Sequence, residues 1–128
     1  MGLDYSNQLY LYNQEYGDLR VGTNGTERFR IKNDGRICMG STNVGSGSAD
    51  DLNIENTSDH GGMTIRTPNT KWGSIHFADG GTGDELYRGQ VSYDHSNDWM
   101  RFYAGGAAVG SSGGECFRIK GNRDIDVV

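Results

Sequence analysis

The sequence predicts an all-β protein made of short antiparallel strands and hairpins. Apolar and polar residues alternate with a period of two along most of the chain, which is the pattern of strands that bury one face. Clusters of Gly, Asn, Asp and Ser separate the alternating stretches, as turns do. Nothing in the sequence has the apolar spacing of an amphipathic helix longer than about two turns, and we expect about ten to twelve short strands.

A segment near the N-terminus recurs near the C-terminus. Val21–Lys32 returns as Val109–Lys120 at a constant offset of 88, and eight of the twelve positions are identical. Both copies end in Phe-Arg-Ile-Lys, and the match continues into the next strand, where Ile37 corresponds to Ile125. Self-similarity of this kind is typical of architecture built from a repeated module. It favours a fibrous or virion-type structural protein over an enzyme.

In the first half of the chain, a hairpin turn and a long loop separate the strands. Asn33–Gly35 is a hairpin-type turn, and Gly40–Asp51 is a Gly/Ser/Asn/Asp loop that forms the best internal boundary. Pro68 ends the last strand of this half. The alternating apolar residues of these strands are Leu9, Leu11, Leu19, Val21, Phe29, Ile31, Ile37, Met39, Leu52, Ile54, Met63 and Ile65.

The second half continues the pattern. Asp79–Glu85 and Asp94–Asp98 are turns or short loops, and Ala104–Gly114 is a flexible stretch of small residues. The residues expected on one face of the strands between them are Ile75, Phe77, Tyr87, Gly89, Val91, Tyr93, Met100 and Phe102. The chain therefore divides into an N-terminal strand module with the first copy of the repeat (1–40), a Gly/Ser loop (41–51) and a main β unit that ends in the second copy (52–128).

The composition indicates an oligomer. Hydrophobic residues make up only 34% of the chain, mean hydropathy is -0.70 and Gly occurs 21 times. A single chain of this composition has little apolar surface to bury, so we expect part of the core to lie between identical chains.

Charge and cysteine content argue against several other classes. The net charge of -5, without a basic patch, argues against nucleic-acid binding. No run approaches the ~18 apolar residues of a membrane span, and the N-terminus lacks the features of a secretory signal. Cys38 and Cys116 do not match across the repeat, which favours two single thiols, and a disulfide between them stays open.

Several short motifs follow one another in a characteristic order and spacing. They are Phe29–Ile31 with Asp34–Gly40, Leu52–Asn56, Gly73–Asp79, Tyr87–His95 and Met100–Tyr103. In this order they resemble the unit found in bacteriophage tail-fibre proteins, in particular the fibres of marine and cyanobacterial phages. The resemblance covers roughly residues 27 to 127.

The resemblance implies an intertwined homotrimeric fibre or β-sandwich-like unit, located in the virion and made in the host cytoplasm. It implies a structural role in attachment to the host surface, with other virion proteins as partners and a host-surface glycan as an open further partner. In that family a C-terminal self-cleaving chaperone domain often follows, so both an excised piece of a fibre and a small stand-alone virion protein stay open here. The residues expected to carry the assembly are Phe29, Ile31, Ile37, Phe117, Ile119 and Ile125.

Aromatic residues on the exposed faces are candidates for sugar binding. Trp99, Arg101 and Tyr103 project to one side of a strand, and Trp72 lies at a strand entry. Aromatic rings stack on the apolar face of a pyranose, while Arg101 and an acid such as Asp98 bond its hydroxyl groups. The favoured alternative is that these rings pack at a subunit interface or cover a sheet.

The sequence predicts no catalytic residue, cofactor or metal. The three histidines, His60, His76 and His95, are isolated, although His76 on a three-fold axis stays open as a metal ligand. Asp79–Glu85 lacks the carboxylate spacing of a calcium loop, and the pair of Asp94 and Asp98 is a weak signal for glycoside hydrolysis. The alternatives to a fibre segment are a capsid decoration protein, a glycan depolymerase and a monomeric carbohydrate-binding β-sandwich.

Overall fold

The structure is a computed structural model that describes the backbone of residues 2–3 and 9–10 and all of residues 11–106 and 114–128. These residues form eleven β-strands, one 3-10 helix (Gly83–Tyr87) and no α-helix, which confirms the predicted all-β class. The strands are β1 (Gly2–Leu3), β2 (Leu9–Tyr10), β3 (Leu19–Thr23), β4 (Thr26–Ile31), β5 (Ile37–Met39), β6 (Leu52–Ile54), β7 (Trp72–Phe77), β8 (Gly89–Asp94), β9 (Trp99–Ala104), β10 (Glu115–Ile119) and β11 (Ile125–Val127).

The strands form three sheets. β1 pairs with β2, a four-stranded sheet has the order β3-β4-β5-β6, and a five-stranded sheet has the order β11-β10-β9-β8-β7. Neighbouring strands are antiparallel except for β5 and β6, which run parallel. The chain forms two compact units, residues 1–63 and 64–128, and each of the larger sheets belongs to one of them.

The observed division falls after the Gly/Ser loop rather than at it. β6, which the sequence analysis placed with the C-terminal unit, pairs with β5 in the first unit. The N–H of Ile37 donates to the carbonyl of Asp51 (2.8 Å), and the N–H of Glu55 donates to the carbonyl of Met39 (2.9 Å). These bonds attach β6 to the first sheet because the outward-facing backbone groups of β5 would otherwise lack partners in the chain.

A tight turn joins β3 to β4. Its two central residues, Asn24 and Gly25, have φ angles of 52° and 70°. Asn-Gly is the pair that adopts positive φ at both positions with little strain, and the resulting turn matches the twist of the flanking strands. The sequence thereby fixes the register of the first hairpin.

The two copies of the repeat fold alike from their second strand onward. β4 and β10 each contain a β-bulge, at Arg28 in the first copy and at Cys116 in the second. After each strand a Lys N–H donates to a carbonyl four residues further on, from Lys32 at 2.8 Å and from Lys120 at 2.9 Å. The bulge residue has no direct cross-strand partner, so unlike side chains are accommodated at that position.

The start of the repeat is less equivalent than its sequence suggests. β3 pairs with β4 as β9 pairs with β10, so β9 occupies the place that the sequence repeat assigns to residues 109–114. Residues 107–113 lie outside the part of the chain that the structure describes.

The five-stranded sheet has two chemically distinct faces. The side that we call the polar face carries Trp72, Ser74, His76, Gln90, Ser92, Asp94, Trp99, Arg101, Tyr103, Glu115 and Arg118. The opposite side, the apolar face, carries Ile75, Phe77, Val91, Tyr93, Met100, Phe102, Phe117, Ile119, Ile125 and Val127.

Two details of the predicted strands are wrong. Met63 and Ile65 do not form a strand, because the segment around them makes no strand pairing in the described structure. Tyr87 lies at the end of the 3-10 helix rather than in β8. The helix begins after Thr82, whose N–H and hydroxyl both donate to the carboxylate of Glu85 (3.3 and 3.2 Å).

Candidate functional site

Arg101 of β9 lies at the centre of the polar face. Its guanidinium carbon is 4.5 Å from the centre of the Trp72 ring and 4.6 Å from that of the Trp99 ring. The side chain of Arg101 is only 10% exposed, so the two indole rings replace water around the charge. The pairing of β8 with both β7 and β9 brings the rings to this position, because Trp72 and Trp99 both lie opposite Asp94.

Two buried carboxylates neutralise this charge. Arg101 Nη2 is 3.2 Å from Asp94 Oδ2, and its Nη1 is 3.4 Å from Glu115 Oε2. Arg118 extends the chain of ion pairs, with its Nε 2.5 Å from Glu115 Oε1 and its guanidinium 4.7 Å from the Trp99 ring. The pairing is necessary because a buried charge without a partner is strongly destabilising. The network joins β8, β9 and β10 through their side chains.

Asp94 also closes the turn between β8 and β9. Its Oδ1 accepts hydrogen bonds from the N–H groups of Ser96 (3.1 Å) and Asn97 (3.3 Å), and its Oδ2 accepts one from Asn97 Nδ2 (2.8 Å). A carboxylate that is 1% exposed and bonded in this way stabilises local structure. This geometry gives no support to Asp94 as one half of a hydrolytic carboxylate pair.

The structure brings four of the five candidate sugar-binding residues together. Trp72, Trp99, Arg101 and Tyr103 all lie on the polar face. Arg101 and Tyr103 are buried, and Arg101 Nη1 lies 3.1 Å from the Tyr103 hydroxyl. The ring faces turned toward Arg101 are therefore occupied, while both indoles remain half-buried at the surface.

The fifth candidate, Asp98, has a different partner. The hydroxyl of Tyr93 donates to Asp98 Oδ1 at 2.5 Å, and this bond raises the pKa of Tyr93 because it holds the phenol in its protonated form. Asp98 has a φ of 61° in the turn after β8. Its carboxylate is thus engaged away from the Arg101 network.

The predicted assembly residues lie on exposed or half-buried apolar faces. Phe29, Ile31 and Ile37 are half-buried on the four-stranded sheet. Phe117 is half-buried and stacks on Phe102 with ring centres 4.3 Å apart. The set also includes Ile119 and Ile125, which are exposed. None of these side chains is fully buried within a single chain, and their burial between chains stays a prediction.

Acidic loops elsewhere are paired with arginines. Arg88 Nε lies 3.2 Å from Asp79 Oδ1, and its Nη1 lies 3.0 Å from Asp84 Oδ2. A cation is thus already present at the loop considered for calcium. Arg36 bonds Asp34 and lowers the pKa of that carboxyl to about 2. Within residues 11–106 and 114–128, no group of three or more His, Cys, Asp or Glu side chains is arranged to hold a metal ion.

Both cysteines are free thiols in the structure. Cys38 is buried, and Cys116 is exposed. The described segments contain no helix that is long and apolar enough to span a membrane. Comparison of the chain with protein-family models and with curated proteins gives no match.

Sequence reasoning missed the residues that complete the polar network. Gln90, Ser92 and Glu115 are buried, although such residues are usually exposed. One signal could have revealed Glu115: Arg101 lies on a strand between those that carry Asp94 and Glu115 on the same face. Opposite charges at neighbouring cross-strand positions indicate pairing.

Proposed function

We propose that this chain is a structural protein that assembles with copies of itself through the apolar faces of its sheets. In this proposal it forms a homotrimeric segment of a virion fibre or fibre tip. The distribution of burial in the second unit carries the proposal. The buried side chains of β8 are polar, and the large apolar side chains on the other face remain in contact with solvent.

The apolar surface is continuous across the five-stranded sheet, exposed at its two edge strands and half-buried between them. Ile75, Val91, Phe102, Phe117 and Val127 follow one another in register from β7 to β11. Monomeric soluble proteins rarely expose contiguous apolar patches larger than a few hundred Å², and larger ones mark interaction sites. Burial of this row between chains would contribute roughly 25 cal/mol for each Å² removed from water.

The four-stranded sheet has the same arrangement. Val21, Phe29, Met39 and Ile54 form one cross-strand row, and three of these four residues are classed as exposed. A repeated module that presents an apolar face in both units fits an assembly with a core between chains. The resemblance to tail fibres supplies the number of three chains and the attachment role.

The proposal is tested by the mass of the full chain in solution, measured by light scattering on a sizing column. We expect three times the chain mass of 14.0 kDa. Ile75→Asp places a charge on the apolar face at the edge strand β7 and should reduce the mass to that of one chain, because an interface cannot bury an unpaired carboxylate.

His76→Asp is the matched control, since His76 is the next residue of β7 and is exposed on the opposite face. This variant should keep the wild-type mass. Circular dichroism of both variants reports whether the strands persist. A monomeric wild-type chain at millimolar concentration, or an equal effect of the two substitutions, contradicts the proposal.

Attachment to a host-surface glycan is the finer part of the proposal. Both indoles are only half-buried, and the solvent-accessible parts of the Trp72 and Trp99 rings support it. The chain contains no other tryptophan, so a bound saccharide should change the intrinsic fluorescence. If host polysaccharide neither changes the fluorescence nor binds the immobilised protein, glycan attachment is contradicted. The proposed assembly is not affected by that result.

A further inference from the structure

In the first copy of the repeat, the third strand (β5) has a further strand, β6, on its outer side. β6 runs parallel to β5 there, and two backbone bonds hold it. The N–H of Ile37 donates to Asp51, and the carbonyl of Met39 accepts from Glu55. The outward-facing backbone groups of β5 are thus satisfied by an extended strand.

The third strand of the second copy, β11, is held to its own hairpin in the same way. The N–H of Val128 donates to the carbonyl of Cys116 at 3.0 Å, as the N–H of Gly40 donates to that of Arg28 at 3.2 Å. Because residue 128 bonds inward to β10, the backbone N–H and C=O groups of residues 125 and 127 point away from β10, as those of residues 37 and 39 point away from β4. Among the residues that the structure describes, no strand pairs with that side.

The side chains of β11 are correspondingly uncovered. Ile125 is 66% exposed and Val127 is 87% exposed. Their equivalents beside β6 are better covered, since Ile37 is half-buried and Met39 is 41% exposed. An edge strand with free backbone groups and apolar side chains is a template for strand addition.

The charge differs between the two edges at four positions, and one of these positions contacts the segment that precedes β6. In the first copy, Arg36 Nη1 bonds the carboxylate of Asp50, two residues before β6, at 2.6 Å. The position equivalent to Arg36 is Asp124, whose carboxylate accepts a hydrogen bond from Asn122 Nδ2 at 2.6 Å. The residue at this position is therefore basic in the first copy and acidic in the second, so a strand added to β11 would meet a negative charge.

We propose that the outer edge of β11 binds an extended segment of another protein in parallel orientation. That segment begins with a basic residue, followed by one residue of any type and then by the apolar-polar-apolar pattern of β6. The basic residue pairs with Asp124, and the two apolar residues cover Ile125 and Val127. The interaction uses the backbone edge of β11 and extends the apolar face, to which Ile125 and Val127 belong.

A second copy of this chain is the less suitable occupant of this edge. Its Leu52–Ile54 strand is already paired with its own β5, so its transfer would open an equal edge elsewhere. That strand is also preceded by Asp50, whose carboxylate would meet Asp124 and be repelled by it.

The test uses the full chain and two synthetic peptides. One has the sequence of residues 50–56, and the other is the same peptide with Asp50→Lys. The Lys peptide should bind wild-type protein about threefold to tenfold more tightly, as expected when a repelling charge pair becomes an attracting one. It should also slow hydrogen exchange at the amide of Ile125, which is the group that forms the first backbone bond.

Two variants sharpen the test. Asp124→Arg restores the residue type of the first copy and breaks no ion pair among the residues that the structure describes. It should reverse the preference, so that the acidic peptide binds more tightly. Ile125→Pro removes the outward N–H and should abolish the binding of both peptides, and proline is tolerated at a sheet edge. The Asp124→Arg comparison remains informative if Ile125→Pro disturbs the hairpin.

Two results would overturn the proposal. In the first, neither peptide changes exchange at Ile125, or the preference is the same in wild type and Asp124→Arg. In the second, the protein itself protects Ile125 as its concentration rises and Ile125→Pro lowers the mass of the assembly, which would assign the edge to a second copy.

Discussion

The two copies of the repeat place the same ion pair in different surroundings. Glu27 pairs with Arg30 at 2.7 Å in β4, and Glu115 pairs with Arg118 at 2.5 Å in β10, each three residues apart across a bulge. The carboxylate is 27% exposed in the first copy and 2% exposed in the second. The local motif therefore fixes the pairing, and the neighbouring strands determine how far it is buried.

The residue that makes the difference lies on the preceding strand. Arg20 in β3 and Arg101 in β9 lie opposite Arg30 and Arg118 in the same register. Arg20 is exposed, whereas Arg101 is buried because β8 supplies Asp94 and two indole rings cover the guanidinium. The same residue type is thus solvated in one copy and central to a buried network in the other.

The largest expected effect comes from removing these two arginines. Arg101→Ala leaves the buried Asp94 carboxylate without its cation and Glu115 with Arg118 alone, and it should lower the free energy of unfolding by about 3–5 kcal/mol. Arg20→Ala, the matched control, should change it by about 0.5 kcal/mol or less. Denaturant unfolding followed by tryptophan fluorescence measures the first value, since Trp72 and Trp99 both contact Arg101.

Arg101→Lys tests whether charge alone is sufficient. Lysine keeps the cation but cannot stack on two rings and bond two carboxylates together. The free energy of unfolding of Arg101→Lys should lie between those of the wild type and of Arg101→Ala. Equal losses for Arg20→Ala and Arg101→Ala would mean that the two copies do not differ as described.

Substitutions in the turn after the second strand of each copy should change stability less, and in opposite directions in the two copies. Gly35 has a φ of 93°, and the equivalent residue, Arg123, has a φ of 75°. Left-handed backbone is strained for residues with a side chain. Arg123→Gly should stabilise the second unit by about 0.5 kcal/mol, and Gly35→Arg should destabilise the first by about 1 kcal/mol. Amide exchange on β5 and β11 separates the two units, and a loss of stability in both variants would contradict this account.

The smallest effect is expected from acid. Arg36 holds the pKa of Asp34 at about 2 and Arg30 lowers that of Glu27, so both carboxyls bind a proton more readily in the unfolded chain. Their contribution to stability is complete above the ordinary pKa values, 3.8 for Asp34 and 4.5 for Glu27, and is lost as the pH falls toward 2. Exchange in β4 and β5 should accelerate over that range. Asp34→Asn should flatten the profile, and an unchanged profile in this variant would assign the acid sensitivity to other groups.

Most strands could be predicted from the sequence because their alternation is local. β4, β5, β7, β9 and β11 follow directly from apolar residues at every second position, and the turn at Asn33–Gly35 follows from its composition. The repeat indicated a repeated module, and the second strands of its two copies do share a bulge and the turn that follows. Each of these signals lies within about ten residues of the chain, which is the range over which periodicity specifies a strand.

The identity of the buried face could not be predicted in this way. Periodicity in β8 separates Gln90, Ser92 and Asp94 from Val91 and Tyr93, but it does not say which set is covered. The answer depends on long side chains from neighbouring strands that cover the small polar ones. The parallel pairing of β6 was missed for a similar reason, since a three-residue strand joined by a long loop has no local signal for its partner.

The bulge in β10 also makes the chain well suited to spectroscopy. Cys116 stands at the bulge with its side chain exposed, and the other cysteine is buried. A thiol-reactive spin label or fluorophore would therefore attach at one known point, on the strand next to the open edge. In a three-fold assembly the three labels would form an equilateral triangle, and a single interspin distance would give its size.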